Sequence, residues 1–191
     1  MALHMPRRYS GGMINDTKPT VKEIPLRLFG TARDSIVDGP GLRFVIFVQG
    51  CPHACPGCHN PQSHDPAGGT PSTTTELWEK IIARPEIAGV TFSGGEPFTH
   101  AEALAEIGRA VRELGKTVMT YSGYTYERLL EMAKTDRGIH DLLTVTNYLV
   151  DGPFVLAQRD ITLKYRGSRN QRILDITCYP NSDAVNIADF A

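Results

Sequence analysis

The stretch that decides the fold is LRFVIFVQGCPHACPGCHN, residues 42–60. It begins with a nearly continuous run of apolar, β-branched and aromatic side chains, which is typical of a strand buried on both faces of a parallel sheet. Cys51, Cys55 and Cys58 follow directly. Because Pro56 lacks a backbone N–H and would clash inside a helix, we predict that these cysteines lie in a loop. The stretch therefore predicts a buried strand that delivers three thiols to one loop.

Strand and helix signals alternate along the rest of the chain. Further strands are predicted at 87–93, 116–122 and 141–150, with a possible last strand at 172–179. Amphipathic helices are predicted between them, over 76–85, 101–115 and 125–134. Because strands alternate with helices, the sheet should be mostly parallel, with right-handed crossovers. Roughly four or five such units are too few to close an eight-stranded barrel, so we predict an α/β fold with an open, partial (β/α) barrel.

Capping signals mark the helix boundaries. Thr73 and Glu76 have the spacing of a capping box at the start of the first helix. Thr99 and Glu102 repeat this spacing before the second helix. Gly115 stands where the second helix should end, since glycine readily adopts the left-handed conformation that closes many helices.

Length, charge and cysteine usage limit the class of protein. The 191 residues suit one domain; we expect it to span 24–191, after a disordered leader over 1–23 that lacks the apolar core of a secretory signal. The 20 basic and 21 acidic residues leave a net charge of −1, which favours neither nucleic acid nor an anionic membrane. No apolar run approaches the roughly 20 residues that span a bilayer. Clustered cysteines make a poor disulfide framework, so we expect a cytoplasmic protein.

The loops after the predicted parallel strands are polar and rich in glycine. They read CPHACPGCHN, GGEP, GYTY and DGPF. Ligands collect at the carboxyl ends of strands in parallel sheets. We therefore expect these four loops to converge on one rim of the sheet and to form the functional site.

The three clustered thiols fit two kinds of metal site. A structural zinc ion takes four ligands, usually from two pairs, and the fourth ligand here could be His53, His59, His64 or Cys178. The sequence offers no second ligand pair. An iron–sulfur cube is normally held by four thiolates. Three cysteines would leave one iron free to bind a small molecule, just as a catalytic metal keeps one position open. The sequence of the loop alone does not distinguish a zinc site from an iron–sulfur cluster.

Four motifs, in order along the chain, carry a family resemblance. VDGPGLRFVIFVQGC at 37–51 resembles the segment that leads into the cysteines of glycyl-radical-enzyme activases. CPHACPGC at 51–58 fits the CxxxCxxC signature of radical S-adenosylmethionine (SAM) enzymes, and SGGEP at 93–97 resembles their GGE motif. RGSRNQR at 166–172 resembles the activases of anaerobic ribonucleoside-triphosphate reductase. The resemblance covers roughly 25–175 and implies that the partial barrel is of the radical SAM type.

The resemblance implies roles for the matched residues. Cys51, Cys55 and Cys58 would hold a 4Fe–4S cluster. The methionyl amino group of SAM would be held by Gly94, Gly95 and Glu96. Asp38 would lie beside the active site in a loop that contacts the partner, although Asp-Gly-Pro-Gly is also ordinary turn chemistry.

Further matched residues would lie around SAM. Gly57, Cys58 and His59 match positions along its adenine side. Many radical SAM enzymes carry an aromatic residue directly before the third cysteine, whereas this chain has Gly57 there. His59 could stack on adenine or lie at the surface. Asp151 matches a position near the methionyl group, and Ser122 is expected on the same rim.

The activity implied by the resemblance is that of an activating oxidoreductase. A reduced cluster would donate one electron to SAM, and the resulting 5′-deoxyadenosyl radical would remove a Cα hydrogen from a glycine of anaerobic ribonucleotide reductase. A flavodoxin or a ferredoxin-type electron donor is the second implied partner. The nearest alternative is activation of another glycyl-radical enzyme such as pyruvate formate-lyase. An alternative from a different class is a zinc-stabilised binding module without catalysis.

Overall fold

The computed structural model describes residues 18–183, 185–188 and 190, and in that part of the chain eight strands form one sheet. The strands are β1 (Pro25–Ser35), β2 (Arg43–Val48), β3 (Thr70–Thr73), β4 (Gly89–Gly94), β5 (Thr117–Tyr121), β6 (Tyr148–Asp151), β7 (Arg172–Asp175) and β8 (Asn186–Ile187). The α-helices are α1 (Thr74–Ile82), α2 (Ala101–Glu113), α3 (Tyr126–Ala133) and α4 (Arg137–Val145). Strands and helices alternate through the middle of the chain, as predicted.

The sheet has a parallel centre and antiparallel flanks. Its strand order is β3-β1-β2-β4-β5-β6-β7-β8. The β2–β4, β4–β5 and β5–β6 pairs are parallel, whereas the pairs on both flanks are antiparallel. The α/β class is therefore confirmed, and the prediction of a mostly parallel sheet holds for the centre only. β1 and β3 escape the sequence patterns because they are partly exposed and contain few consecutive apolar residues.

The segment 141–150, which was expected to be one strand, is the end of α4 followed by β6. The Asp136 side chain accepts the N–H of Ile139 at 3.1 Å and begins the helix. Ile139 and Leu142 are buried at helical spacing. The apolar run that resembles a strand is therefore one face of a helix, and the strand begins only at Tyr148.

The capping predictions have different outcomes. Thr73 and Glu76 form the expected capping box at α1. The prediction of a second capping box is wrong. Thr99 lies inside a short 3₁₀ turn (Pro97–His100), which the Glu96 side chain caps. α2 begins after this turn, at Ala101. The stop at Gly115 is confirmed by its φ of +71°.

The two faces of the sheet are covered differently. The large apolar core lies where the sheet packs on the helices and includes Phe44, Ile46, Phe92, Leu104 and Leu142. A smaller cluster of Met119, Val150 and Ile173, with neighbouring tyrosines, lies apart from that core. Alternation along each strand sends these two sets to opposite faces. The second face therefore has less apolar cover.

Arg43, the first residue of β2, is fully buried and ties the loop before it to the sheet. Its guanidinium donates to Thr91 Oγ1 at 2.6 Å, to Val90 O at 2.6 Å and to Pro40 O at 3.2 Å. Burial lowers the pKa of Arg43 to about 10, which still leaves it protonated at neutral pH. Because Thr91 Oγ1 in turn donates to Asp38 O at 2.7 Å, this network fixes the Asp-Gly-Pro-Gly loop.

Residues 1–17 of the predicted leader lie outside the described residues. Near its end, the carbonyl oxygen of Pro19 accepts a hydrogen bond from Trp78 Nε1 at 2.8 Å, and the N–H of Lys22 donates to Glu106 at 2.8 Å. Among the helices of the described residues, none combines the length and the apolar character needed to cross a membrane.

Candidate functional site

A cavity of about 470 Å³ opens at the carboxyl ends of the central strands. The cysteine loop supplies Cys51, Cys55 and Cys58 to its wall, and the other three predicted loops supply residues such as Glu96, Gly123, Gly152 and Phe154. The predicted convergence of four loops on one rim is therefore confirmed.

The cysteine loop has no helical structure, as the prolines predict. It is anchored at its start by two backbone hydrogen bonds, from Gly50 N to Ser63 O at 2.8 Å and from Cys51 N to His64 O at 3.1 Å. A further bond from Cys58 N to Cys55 O at 3.1 Å closes a turn. All three cysteines are half-buried free thiols. The backbone thus presents them together on the cavity wall.

A zinc ion and an iron–sulfur cube require different arrangements of the three thiols. Among the residues that the structure describes, no three His, Cys, Asp or Glu side chains converge as ligands of a single ion would, whereas structural zinc needs four ligands within about 2.0–2.3 Å. In an iron–sulfur cube each thiolate binds a different iron, so the thiols need not converge. Burial raises the pKa of the Cys51 thiol. Bound iron would favour its thiolate. Three free thiols that one loop presents to the cavity therefore fit a 4Fe–4S cluster.

Of the four candidate fourth zinc ligands, His53 and His59 line the cavity with the cysteines, whereas His64 and Cys178 do not belong to its described lining. His53 Nε2 is bonded to Glu96 Oε2 at 2.8 Å, and Cys178 is exposed, outside the cavity lining. His59 packs on Phe154 with ring centroids 5.1 Å apart. His64 lines a second cavity, of about 330 Å³, beside Cys51.

Glu96 is the most densely hydrogen-bonded side chain of the site and is only 1% exposed. Its Oε1 accepts the N–H of Phe98 at 3.1 Å, and its Oε2 accepts the N–H of Gly123 at 2.9 Å. Ser122 Oγ lies 3.1 Å from both oxygens, and His53 completes the set. Because a carboxylate offers about four acceptor sites, the protein already occupies them. Glu96 thus joins the cysteine loop to the ends of β4 and β5.

Gly94 and Gly95 allow the backbone of β4 to pass close to the start of the cysteine loop. Gly94 has a φ of +98°, which favours glycine. A Cβ on Gly95 would lie 2.8 Å from the carbonyl carbon of Gly50 and closer still to its oxygen. That oxygen accepts the N–H of Glu96 at 2.8 Å. Both glycines are therefore required by close approach.

Replacing Gly95 with alanine is expected to disrupt this junction. The added Cβ meets backbone rather than a flexible side chain, so the segment before Cys51 must shift. We expect a loss of at least about 2 kcal/mol in the free energy of unfolding, together with poor metal retention. Urea unfolding and iron analysis would measure both. Gly30→Ala is the matched control, since nothing lies within 4 Å of its Cβ position; equal losses in the two variants would contradict the steric reason.

The three residues that are predicted on the adenine side of SAM do not all belong to the cavity lining. Cys58 and His59 line the cavity, whereas Gly57 does not belong to the described lining. Gly57 has a φ of +74°, and a Cβ there would lie 2.8 Å from Leu156 Cδ1. The space beside Gly57 is thus filled from the segment after β6.

Asp38 and Ser122 lie on the cavity wall as predicted. Asp38 is hydrogen-bonded to Ser35 Oγ. Burial first, and then the negative charge of Asp38, raise the pKa of Tyr121, which keeps that hydroxyl protonated. Asp38, Tyr121 and Val37 all belong to the cavity lining.

Asp151 is not brought to the described cavity lining, although its neighbour Gly152 is. It is 1% exposed and accepts the N–H of Tyr126 at 2.8 Å, at the start of α3. It also pairs with Arg172, whose Nε lies 3.0 Å from Asp151 Oδ1. Arg172 also donates hydrogen bonds to Glu127. These bonds are the main reason that the pKa of Glu127 is lowered to about 2. In the structure Asp151 joins β6, β7 and α3.

Replacing Asp151 with asparagine is therefore expected to act mainly on stability. One partner of an ion pair is removed, but Arg172 is 39% exposed and can stay hydrated, so we expect a loss of about 1–2 kcal/mol in the free energy of unfolding. Urea unfolding would measure the loss. Glu127→Gln, on the exposed side of the same arginine, should cost less than about 1 kcal/mol. A stable Asp151→Asn protein that fails to bind an adenosyl ligand would instead support the role implied by the resemblance.

Several cavity residues were not predicted as site residues. They include Phe47, Tyr121, Gly152, Phe154, Leu163, Tyr165 and Gln171. Most lie inside or next to the loops CPHACPGCHN, GYTY and DGPF and the motif RGSRNQR, so position in those segments was the available signal. Which of their side chains face the cavity depends on contacts between distant segments.

Comparison with known proteins gives a consistent result. Residues 37–174 match the model of the 4Fe-4S single cluster domain family. The anaerobic ribonucleoside-triphosphate reductase-activating protein of Salmonella typhimurium is 38% identical over 146 residues, which are 71% of this chain and 90% of that protein. The protein of the same name from Escherichia coli is 36% identical over the same shares.

Two further proteins are similar to a smaller part of this chain. The pyruvate formate-lyase-activating enzyme of Clostridium pasteurianum is 40% identical over 114 residues, which are 56% of this chain and 48% of that enzyme. Among solved structures, QueE from Escherichia coli covers 54% of this chain and 53% of its own, with a TM-score of 0.41 and 16% identity; this similarity is too low to support a conclusion.

Proposed function

The chain belongs to the 4Fe-4S single cluster domain family and to the anaerobic ribonucleoside-triphosphate reductase-activating proteins, and from this membership we propose that it generates a glycyl radical on an anaerobic ribonucleotide reductase. As in the radical SAM type of activating enzyme, the cofactors would be a 4Fe–4S cluster and SAM. The observation that carries the proposal is the placement of three free thiols in the lining of a cavity that Gly94, Gly95 and Glu96 also line, directly beside the start of the cysteine loop.

Cys51, Cys55 and Cys58 would hold the cluster, leaving one iron without a protein ligand. When bound, the cluster supplies one low-potential electron that cleaves SAM into methionine and a 5′-deoxyadenosyl radical. That radical would remove a hydrogen atom from the Cα of a glycine on the partner, giving 5′-deoxyadenosine and the glycyl radical. The protein positions the ligand and excludes competing reactions.

The polar end of the cavity would receive the methionyl group. Gly94 and Gly95 bring backbone close to the cysteine loop. Because Glu96 is already hydrogen-bonded by the protein, an ammonium group would either share Oε2 with His53 or bind to the backbone nearby. In both cases Glu96 fixes the loops that surround the ligand.

We also propose that the sheet is the open, partial (β/α) barrel of the radical SAM type. Support comes from the parallel centre, from the order in which β3 and β8 end the sheet, and from a cavity at the carboxyl ends of the strands. A cytoplasmic location and a flavodoxin or ferredoxin-type electron donor complete the proposal. Neither nucleic acid nor a membrane is needed for it.

The test is a reconstitution under anaerobic conditions. Reduced, cluster-loaded protein is mixed with SAM and anaerobic ribonucleotide reductase, and the sample is examined by EPR. We expect the doublet of a glycyl radical, and we expect none with Cys55→Ala. Methionine production without the doublet would reject this partner while leaving SAM cleavage in place.

The second candidate is activation of pyruvate formate-lyase. It is favoured by the 40% identity to an enzyme with that name, although the match covers 48% of that enzyme. The same experiment with pyruvate formate-lyase in place of the reductase separates the two, since the doublet should form only with the true partner.

A further inference from the structure

The cysteine loop contacts different elements at its two ends, which divides the cavity. At one end, the ring of His53 bonds to Glu96 and packs edge-on against Tyr124, with ring centroids 4.4 Å apart. At the other end, His59 packs against Phe154 at 5.1 Å, with the rings tilted by 49°. The first end is polar and the second is aromatic, and Cys55 and Cys58 lie between the two histidines along the chain.

The aromatic end is built without a side chain from position 57. Gly57 has a φ of +74°, where larger residues are strained. Its Cβ position lies 2.8 Å from Leu156 Cδ1 and 3.3 Å from Leu156 Cδ2. An aromatic ring at 57 would therefore have to displace Leu156. Any flat surface for a ligand beside Cys58 must come from another part of the chain.

Phe154 lies where such a surface is needed. It lines the cavity next to His59, two residues before Leu156. A Cβ on Gly167 would lie 3.1 Å from Phe154 Cδ2 and 3.4 Å from His59 Cε1. A side chain at position 167 would therefore push on the ring of Phe154, and glycine leaves that ring in its present position.

The backbone on both sides of Phe154 is fixed by side chains of the RGSRNQR segment. The N–H of Val155 donates to Ser168 Oγ at 3.2 Å, and Asn170 Nδ2 donates to Pro153 O at 2.8 Å. Ser168 is fully buried. Phe154 is thus held in place before any ligand arrives, which reduces the entropy lost on binding.

We propose that Phe154, together with His59, forms the stacking surface for the adenine of the adenosyl ligand. Stacking of a base on an aromatic side chain typically contributes about 1–3 kcal/mol. Tyr121, another aromatic residue of the cavity lining, packs against the cluster of Met119, Val150 and Ile173. The proposal rests on the proposed function, because it assigns one part of the SAM site.

The test measures binding rather than turnover. Cluster-loaded protein is titrated anaerobically with S-adenosylhomocysteine, which carries adenine but has no sulfonium to cleave, and separately with L-methionine, which lacks adenine. The variants are Phe154→Leu, which keeps apolar volume without a ring, and Phe154→Tyr, which keeps the ring. Ile161→Ala is the control, because Ile161 is 85% exposed in the same segment.

We expect Phe154→Leu to weaken binding of S-adenosylhomocysteine roughly tenfold, which lies within the range for loss of base stacking. Phe154→Tyr and Ile161→Ala should stay within about threefold of the parent, and no variant should change the affinity for L-methionine or the iron content. Equal affinity of parent and Phe154→Leu for S-adenosylhomocysteine would overturn the inference. So would parallel losses for both probes.

Failure of the proposed function looks different. If the cluster-loaded parent binds neither probe, the proposed function and the inference fall together. If the parent binds both probes and Phe154→Leu does not discriminate between them, only the role of Phe154 is rejected. If Phe154→Leu loses iron, the Phe154→Tyr variant decides, because it keeps the ring. A Phe154→Tyr protein that retains its iron but binds S-adenosylhomocysteine tenfold more weakly would contradict a stacking surface.

Discussion

Cys55→Ala protein, reconstituted with iron and sulfide, is expected to lack the brown colour and nearly all of the iron of the parent. The parent should contain about four irons and four sulfides per chain, the composition of a 4Fe–4S cluster. With only three thiols on the cavity wall, loss of one leaves two, which are too few to hold the cluster. Formation of the glycyl radical should fall below detection, the largest effect expected for any single substitution here.

Cys178→Ala is the matched control. Cys178 is an exposed free thiol outside the described cavity lining. Its removal should change neither the iron content nor the radical yield. Retention of four irons by Cys55→Ala, or their loss from Cys178→Ala, would mean that the ligands have been misassigned.

Glu96→Gln is expected to have the second largest effect. Each carboxylate oxygen accepts a backbone N–H, one from Phe98 and the other from Gly123. A glutamine must turn its NH₂ group toward one of them, so neither orientation avoids two donors facing each other. A buried donor left unsatisfied costs about 1–3 kcal/mol, and the loss of the charge weakens the contacts with His53 and Ser122.

The measurement for Glu96→Gln is urea unfolding combined with titration of S-adenosylhomocysteine. We expect a loss of about 2–3 kcal/mol in the free energy of unfolding and at least tenfold weaker binding. Glu102→Gln, which is exposed in the first turn of α2, should change the free energy by less than about 0.5 kcal/mol. A Glu96→Gln protein as stable as the parent would show that the carboxylate does not organise these loops.

The parallel centre of the fold was predictable because β2 carries a nearly continuous apolar run, and β4 and β5 carry short runs of β-branched and apolar residues. The same rule failed at 141–150, since one buried face of a helix such as α4 also places apolar residues close together in sequence. β1 and β3 were missed because their pairing depends on distant partners, such as Pro25 with Thr73. Local patterns do not report that kind of contact.

The candidate site divides in the same way. Cys51, Gly94 and Ser122 were predictable because each lies at or just after the end of a central strand. The saturation of Glu96 by donors from four different positions, and the placement of Phe154 against His59, depend on how distant loops meet. Sequence position alone therefore located the rim but did not show which side chains face each other.

The central claim is that three cysteines hold a 4Fe–4S cluster whose remaining iron is free to bind SAM. EPR of the reduced, cluster-loaded protein during a titration with SAM tests it most directly. The account predicts a saturable change in the cluster spectrum at about one SAM per cluster, because one coordination position is open. A spectrum that stays unchanged at saturating SAM, or a colourless protein that binds one zinc ion per chain, would contradict it.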